Sequence, residues 1–382
     1  MRKVLLITDD FPPVIGGLAR WYERVCTAVP PDRVVVLTPQ VPEAHRFDVR
    51  QRYRIVRRRV PRGTHPLGRL LQIALLVIYA ARIARRERAQ VIHIAHLHLG
   101  LIGIALKRWL GTPYVLYLHG GEMAPYMRFR LVRTVARAIV REACLMVVNS
   151  TFTRRHFEAL GMSNSHVELL TMSVETDRFR PDLDVQETRV KYHLDGKRTI
   201  LTVGRLVERK GHDMIIRALR SVQERAGPTV YVIAGTGPQE EKLRKLAVDV
   251  GCEGDVVFAG YVAEDQLPLL YAACDVFAMP SRALNTRDGV EGFGIVFLEA
   301  GACGKPVVGG RSGGIANAVA DGVTGLLVDP VDVNDVTDAL VRLLVQREVA
   351  RQLGASGRRR AESLKSAWED AVQRIWNLPS VG

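Results

Sequence analysis

Two carboxylates eight residues apart, Glu291 and Glu299, frame the segment Glu291-Gly292-Phe293-Gly294-Ile295-Val296-Phe297-Leu298-Glu299-Ala300. A helix beginning near Gly294 puts Glu291 at its mouth and Glu299 about a turn and a half inside. The apolar residues between them hold Glu299 against the core, where an acid needs partners. Such a pair suits sugar chemistry, with one carboxylate accepting from sugar hydroxyls and the other from ribose hydroxyls. Gly292 and Gly294 let a sugar lie against backbone. An N-terminal helix acid beside a structural acid is the plainer alternative.

Two cations complement the acids. Gly204-Arg205-Leu206-Val207-Glu208-Arg209-Lys210-Gly211 follows an apolar run over 199–203. A planar guanidinium at Arg205 and an ammonium point charge at Lys210, at the carboxyl end of a strand, suit a diphosphate; two solvated surface cations are the alternative. A glycine loop, Asp9-Asp10-Phe11-Pro12-Pro13-Val14-Ile15-Gly16-Gly17, precedes a helix from Leu18. Gly16 and Gly17 permit close backbone approach, and the helix offers N–H groups to an anion. The loop is neither a Walker loop nor a dinucleotide fingerprint, and alone it is equally a tight turn. His119 opens His119-Gly120-Gly121-Glu122 after an apolar run over 113–118. His93, His96 and His98 alternate faces on a strand, with no Cys or nearby acid to complete a metal set, so a structural role is expected for them.

These residues need scaffolds. The 382-residue chain has room for two or three domains. With 47% hydrophobic and 25% charged residues, disorder, collagen and a disulfide scaffold are excluded as classes. Five scattered cysteines fit a reduced cytosolic protein. The first half reads as strands at 3–8, 33–37, 90–95, 113–118 and 145–148, with helices near 18–28, 67–88, 99–109, 126–142 and 151–160. The second half repeats the plan, with strands at 199–203, 229–234, 256–259, 275–279, 306–308 and 326–328. Short apolar runs alternating with helices predict an α/β chain of two Rossmann-like, doubly wound domains. The expected boundaries are 1–171 for the first domain, 172–197 for a linker and 198–363 for the second, with a C-terminal helix over 364–382 returning to the first. The apolar stretch from Leu70 to Ala81 is too short to span a bilayer and reads as a core helix.

Charge is uneven. Residues 1–168 hold 27 Lys and Arg against 11 Asp and Glu, a net +16, and the remainder is −2. Arg130, Arg133, Arg137 and Arg141, with Arg128 before them, recur mostly at gaps of three and four, so most share one helix face. Arg57-Arg58-Arg59 and Arg85-Arg86 add to the same half. This predicts an anionic membrane surface as partner of the N-terminal domain, with an ordinary solvated face as the alternative. Nucleic acid is not expected, because no aromatic-interleaved basic segment is present.

In combination these motifs resemble the retaining glycosyltransferases of family four, which have the GT-B fold of two Rossmann-like domains facing across a cleft. Glu291 and Glu299 match that family's pair of acids, Arg205 and Lys210 its phosphate-binding cations, and Gly16-Gly17 its first glycine loop. Gly313-Gly314-Ile315 and Asp321-Gly322-Val323-Thr324-Gly325-Leu326 follow in order. Asp10-Phe11-Pro12-Pro13, Val207-Glu208-Arg209-Lys210-Gly211 and Asp275-Val276-Phe277-Ala278-Met279-Pro280 look most like the GDP-mannose-dependent phosphatidylinositol mannosyltransferases. The resemblance implies transfer of a hexosyl unit, mannose favoured, from a nucleotide-diphosphate sugar to an acceptor hydroxyl on a lipid or glycan. It implies catalytic roles for His119, Glu291, Arg205 and Lys210. It implies a donor site of Gly16, Gly17, Gly204, Arg205, Lys210, Gly235, Gly237, Tyr261, Val262, Glu291, Gly292, Phe293, Gly294, Ile295 and Glu299. No cofactor and no metal are expected, and the expected location is cytoplasmic, peripheral at the inner membrane face. A nucleotide-sugar epimerase of the same architecture, a synthase with a soluble acceptor and a non-catalytic membrane-binding protein are the alternatives. Two departures stand out: Ala316-Asn317 replaces the acid that the family usually carries after its second glycine pair, and segment 42–66 matches no family pattern.

Overall fold

The structure is a computed structural model that describes residues 1–14, 16–59, 66–120, 129–284 and 289–377, without the side chains of 66–70 and 72. Ile15, Gly121, Glu122, Met127 and Arg128 therefore lie outside the described residues. The chain divides into two compact units. The first is Met1–Thr171 with the stretch from Ala367, and the second is Met172–Ser366.

Runs of Val, Ile and Leu make the strands of the first unit. They are β1 (Val4–Ile7), β2 (Val34–Pro39), β3 (Arg54–Arg58), β4 (Val91–Ile94), β5 (Tyr114–Leu118), β6 (Leu145–Val148) and β7 (Val167–Leu169). They form one parallel sheet in the order β3-β2-β1-β4-β5-β6-β7. Every residue of β1, β4, β5 and β6 is buried, because helices cover both faces of a parallel sheet and leave no polar side to show. β3 and β7 are edge strands with exposed or half-buried positions. They lack a continuous apolar run, which is why the sequence pattern does not disclose them.

The second unit repeats the scheme with β8 (Arg198–Val203), β9 (Thr229–Ala234), β10 (Val256–Gly260), β11 (Val276–Met279), β12 (Val307–Gly310) and β13 (Gly325–Val328). Their order is β10-β9-β8-β11-β12-β13, again all parallel. In both sheets the chain reverses direction beside the first strand, at β1/β4 and at β8/β11. In sheets of this kind ligands bind beyond the carboxyl ends of the strands at such a point. Residues 172–197 belong to the second unit and carry the short helix Gln186–Lys191.

Helices are set by their buried faces and caps. Gly17–Thr27 buries Ala19, Trp21, Tyr22, Val25 and Cys26. Thr151–Ala159 starts where the Ser150 hydroxyl accepts from the Thr153 N–H at 3.0 Å. The last helix, Arg347–Trp376, ends with Trp376 buried against His93, ring centres 4.5 Å apart.

One expected surface cation is an internal strut instead. The Arg57 side chain is only 5% exposed; it pairs with Asp48 at 2.8 Å and donates to the carbonyls of Pro12 and Pro39. A guanidinium tolerates such burial because its donors meet a carboxylate and carbonyls together. Arg57 thus ties the β3 edge to the loop after β1 and does not contribute to a basic surface. Among the described residues no helix is long and apolar enough to cross a membrane.

Candidate active site

In the second unit the cations and acids converge at the strand ends. The loop leaving β8 turns at Gly204, makes a 3-10 turn over Glu208–Lys210, and enters the helix His212–Ala226. It is braced from several sides. Leu206 N donates to Thr236 O at 3.0 Å, and Gln239 N to Leu206 O at 3.0 Å. Buried His212 lies 3.3 Å from the Arg205 carbonyl, and burial lowers its pKa to about 4, so its ring stays neutral. The Arg282 guanidinium reaches Asp213 at 3.0 Å. Gly235 packs so closely on the Gly204 carbonyl that a Cβ would collide with it.

Lys210 Nζ and Arg209 Nη1 each donate to the same oxygen of Glu291 at 2.6 Å. All three side chains are largely buried, at 12%, 16% and 15% exposure. Burial alone would raise the Glu291 pKa, but Lys210 and Arg209 outweigh it and hold the carboxyl at about 2. Burial lowers the Lys210 pKa, and Glu291 opposes that effect. Arg205 is exposed on the same loop, close enough for its charge to act on Lys210. The Glu291 backbone is fixed as well: Gly314 N donates to Glu291 O at 2.8 Å, and Gly314 lies against the Gly292 carbonyl where no Cβ fits.

The helix Ile295–Ala302 starts after Gly294 and carries Glu299, which accepts from Tyr271 Oη at 2.6 Å. Phe293 and Val262 are buried, Gly292 and Ile295 are half-buried, and Tyr261 stands 57% exposed after β10. Gly237 is packed against Leu206. The structure thus brings Lys210 and Glu291 into contact and places Glu299 within the helix that follows, bonded to Tyr271. It also adds Arg209, a member of the same motif, to the Glu291 contact.

In the first unit Gly16 caps the helix that Gly17 begins. His119 follows β5, is 6% exposed, and its Nε2 lies 2.6 Å from Tyr22 Oη. The edge of the Trp21 ring meets it at 5.5 Å. The three-histidine run is accompanied by acids after all. His96 Nε2 lies 3.2 Å from Asp10 and His98 Nε2 2.8 Å from Asp9. The hydrogen bond with His96 keeps the Asp10 carboxyl below its usual range despite burial. The register Ile7↔Ile94 explains the meeting, because adjacent parallel strands end side by side. His93 is buried against Tyr117 Oη at 2.9 Å, and burial depresses its pKa to about 3. Among the described residues no group of three or more His, Cys, Asp or Glu side chains is arranged to hold a metal ion.

Of the expected basic helix, Arg130–Glu142 is described. Arg130, Arg137 and Arg141 are exposed, and Arg133 is half-buried. Phe129 and Leu131 are exposed beside them at 50% and 76%.

The arrangement matches known proteins. Residues 15–178 match the model of Glycosyltransferase Family 4, and residues 184–360 that of Glycosyl transferases group 1. The chain is 36% identical over 361 residues to the GDP-mannose-dependent alpha-(1-6)-phosphatidylinositol monomannoside mannosyltransferase of Mycolicibacterium smegmatis, covering 93% of this chain and 92% of that one. It is 33% identical to a GDP-mannose-dependent monoacylated alpha-(1-6)-phosphatidylinositol monomannoside mannosyltransferase of Corynebacterium glutamicum, over 99% and 97% of the two chains. Anabaena HepE, solved with UDP and glucose, superposes with a TM-score of 0.83 at 20% identity over 99% and 100% of the chains, a likeness of fold.

The Glu291 cluster makes a pH prediction. The carboxyl titrates at about 2 when folded and at 4.5 ordinarily. Its stabilising contribution is therefore complete above the ordinary value and lost as pH falls through the folded one. Glu291→Gln should cost about 3 kcal/mol of unfolding free energy at pH 7, shrinking toward zero near pH 2. Denaturant unfolding of both proteins across that range checks this; a pH-independent difference contradicts the assigned charge state.

Proposed function

The chain belongs to glycosyltransferase family 4 and is a glycosyltransferase, and on that premise we propose that it moves mannose from GDP-mannose to a hydroxyl of a phosphatidylinositol mannoside, with retention at the anomeric carbon. The observation that carries the reading is the Lys210–Glu291–Arg209 cluster beside exposed Arg205, at the strand ends of the second sheet. The donor and the acceptor class come from the activity that its mannosyltransferase relatives share.

The second unit takes the donor. Arg205 and Lys210 neutralise the diphosphate as the glycosidic bond breaks, and preorganised charge of this kind lowers the barrier because it needs no reorganisation during the reaction. Glu291 accepts hydrogen bonds from hydroxyls of the transferred sugar, and Glu299 from the ribose. The first unit takes the acceptor and supplies His119 to the reaction. A carboxylate held at about 2 by two cations is a weak nucleophile, which favours attack by the acceptor on the face the leaving group departs from over a covalent intermediate on Glu291.

The acceptor is a lipid, and the first unit carries the chain's excess positive charge. Exposed Arg130, Arg137 and Arg141 beside Phe129 and Leu131 suit a peripheral, interfacial contact with anionic lipid on the cytoplasmic leaflet, cations at the headgroups and apolar groups below them.

Two outcomes follow from this reading. Purified protein should transfer labelled mannose from GDP-mannose to phosphatidylinositol mannoside in mixed vesicles and leave UDP-glucose unused, and Glu291→Ala should lower the rate by about 100-fold or more with the melting transition still cooperative. Turnover of the nucleotide sugar with no acceptor, or near-normal turnover by Glu291→Ala, contradicts it. In flotation assays, binding to phosphatidylinositol-containing vesicles should fall by about tenfold between 0.05 and 0.5 M salt. Salt-independent binding contradicts the role of the arginines.

A further inference from the structure

Two cations answer one carboxylate beyond the end of β8. Lys210 Nζ and Arg209 Nη1 both lie 2.6 Å from the same Glu291 oxygen, and that carboxyl is ionised. Two positive charges and one negative leave a surplus of one, in a place from which water is largely excluded and charge acts strongly on its neighbours. The two cations are not placed alike. The Lys210 stem runs back over the strand end: a Cβ added to Gly204 would lie 3.6 Å from its Cε and 3.8 Å from its Nζ. Arg205 is next in the chain, and its charge acts on Lys210. Arg209 is anchored from the other side, where Arg282 N, beyond β11, donates to its carbonyl at 2.9 Å. The Arg209 Nε is buried and meets no partner among the described residues, so part of the guanidinium faces protein. The 3-10 turn that carries both ends at Gly211, packed on the Pro280 carbonyl where no Cβ fits. An ammonium has three donors that rotate and can serve two acceptors at once, whereas a guanidinium is a fixed fork.

We propose that Arg209 is a positioning residue of the donor site: it is the standing counter-ion of Glu291, and by cancelling that carboxylate it leaves the charge of Lys210 in surplus for a nucleotide diphosphate. This rests on the reading that Lys210 and Arg205 take the donor's diphosphate. With Lys210 as its sole partner, Glu291 would neutralise it, and the phosphates would meet the charge of Arg205 alone. With Arg209 in place, Lys210 can turn a donor to the phosphate while Glu291 stays answered. An acid for sugar hydroxyls and a cation for phosphate can then stand side by side without silencing each other. Arg209 acts through Glu291 and Lys210 and is not assigned a contact with the nucleotide sugar.

The test is a double-mutant cycle read by calorimetric titration of the whole protein with GDP. Arg209→Met should weaken GDP binding by about tenfold, and Arg209→Lys, which keeps the charge, by about threefold or less. Glu291→Gln, which releases both cations, should bind GDP at least as tightly as wild type. The deciding protein carries Arg209→Met and Glu291→Gln together, because its site has the net charge of the wild type. Its affinity should return to within about threefold of wild type. A double variant as weak as Arg209→Met overturns the inference, since Arg209 would then serve the phosphate directly or merely hold the loop. An Arg209→Met protein with wild-type affinity overturns it as well. Melting curves establish that each variant is folded. If Arg209→Met does not fold, the double variant, which leaves no buried carboxylate half-answered, carries the comparison: GDP affinity about tenfold below wild type overturns the inference. A wild type that binds no GDP contradicts the donor-site reading itself, whereas a wild type that binds it with the wrong order among the variants overturns the role of Arg209 alone.

Discussion

A carboxylate gripped by two cations through one oxygen is the interaction around which the second unit is organised. Glu291 sits with Lys210 and Arg209 in a largely water-excluded position. An ion there is tolerated only when its partners are held in place, since removing one leaves a buried charge unanswered. The surrounding structure reads as the means of holding them. The β8 loop is bonded to the β9 loop through Leu206 and Thr236, propped by neutral His212, and steadied by Arg282 on Asp213. From the other side Gly314 donates to the Glu291 carbonyl. Little net stability need come from such a cluster. What it provides is charge at fixed positions.

The first unit applies the same sheet geometry to different side chains. Placing β1 between β2 and β4, with β5 next to β4, aligns the ends of three strands. Asp9 and Asp10 leave β1, His96 and His98 leave β4, and His119 leaves β5. Groups far apart in sequence thus form one polar edge above an apolar sheet. The first unit presents acids paired with imidazoles there, and the second presents cations paired with an acid.

The central strands were legible because burial on both faces demands unbroken Val, Ile and Leu, a pattern few other structures produce. The edges were not: β3 has only Ile55 and Val56 between Arg54 and Arg57-Arg58, and β7 has only three residues. Lys210, Glu291 and Glu299 were legible through residue type and spacing on elements whose ends the pattern marks. Arg209 carries no such signal, because its contact with Glu291 spans 82 positions and no local spacing encodes it. The pairing of Asp9 and Asp10 with His98 and His96 was missed for the same reason, although a doubly wound strand order places the first and fourth strands side by side. Arg57 misled because a run of three arginines reads as surface, while packing put one of them inside.

The central claim is that the second unit holds a preassembled nucleotide-diphosphate site built on Lys210, Arg205 and Glu291. Thermal unfolding with GDP, UDP and ADP at matched concentrations tests it most directly. A ligand that binds only the native state stabilises it by RT ln(1 + [L]/Kd), about 2.7 kcal/mol at a hundredfold excess over Kd. The account predicts a rise in Tm largest with GDP and much reduced in Lys210→Ala. Equal or absent shifts with all three nucleotides, or a GDP shift that survives Lys210→Ala intact, would contradict it.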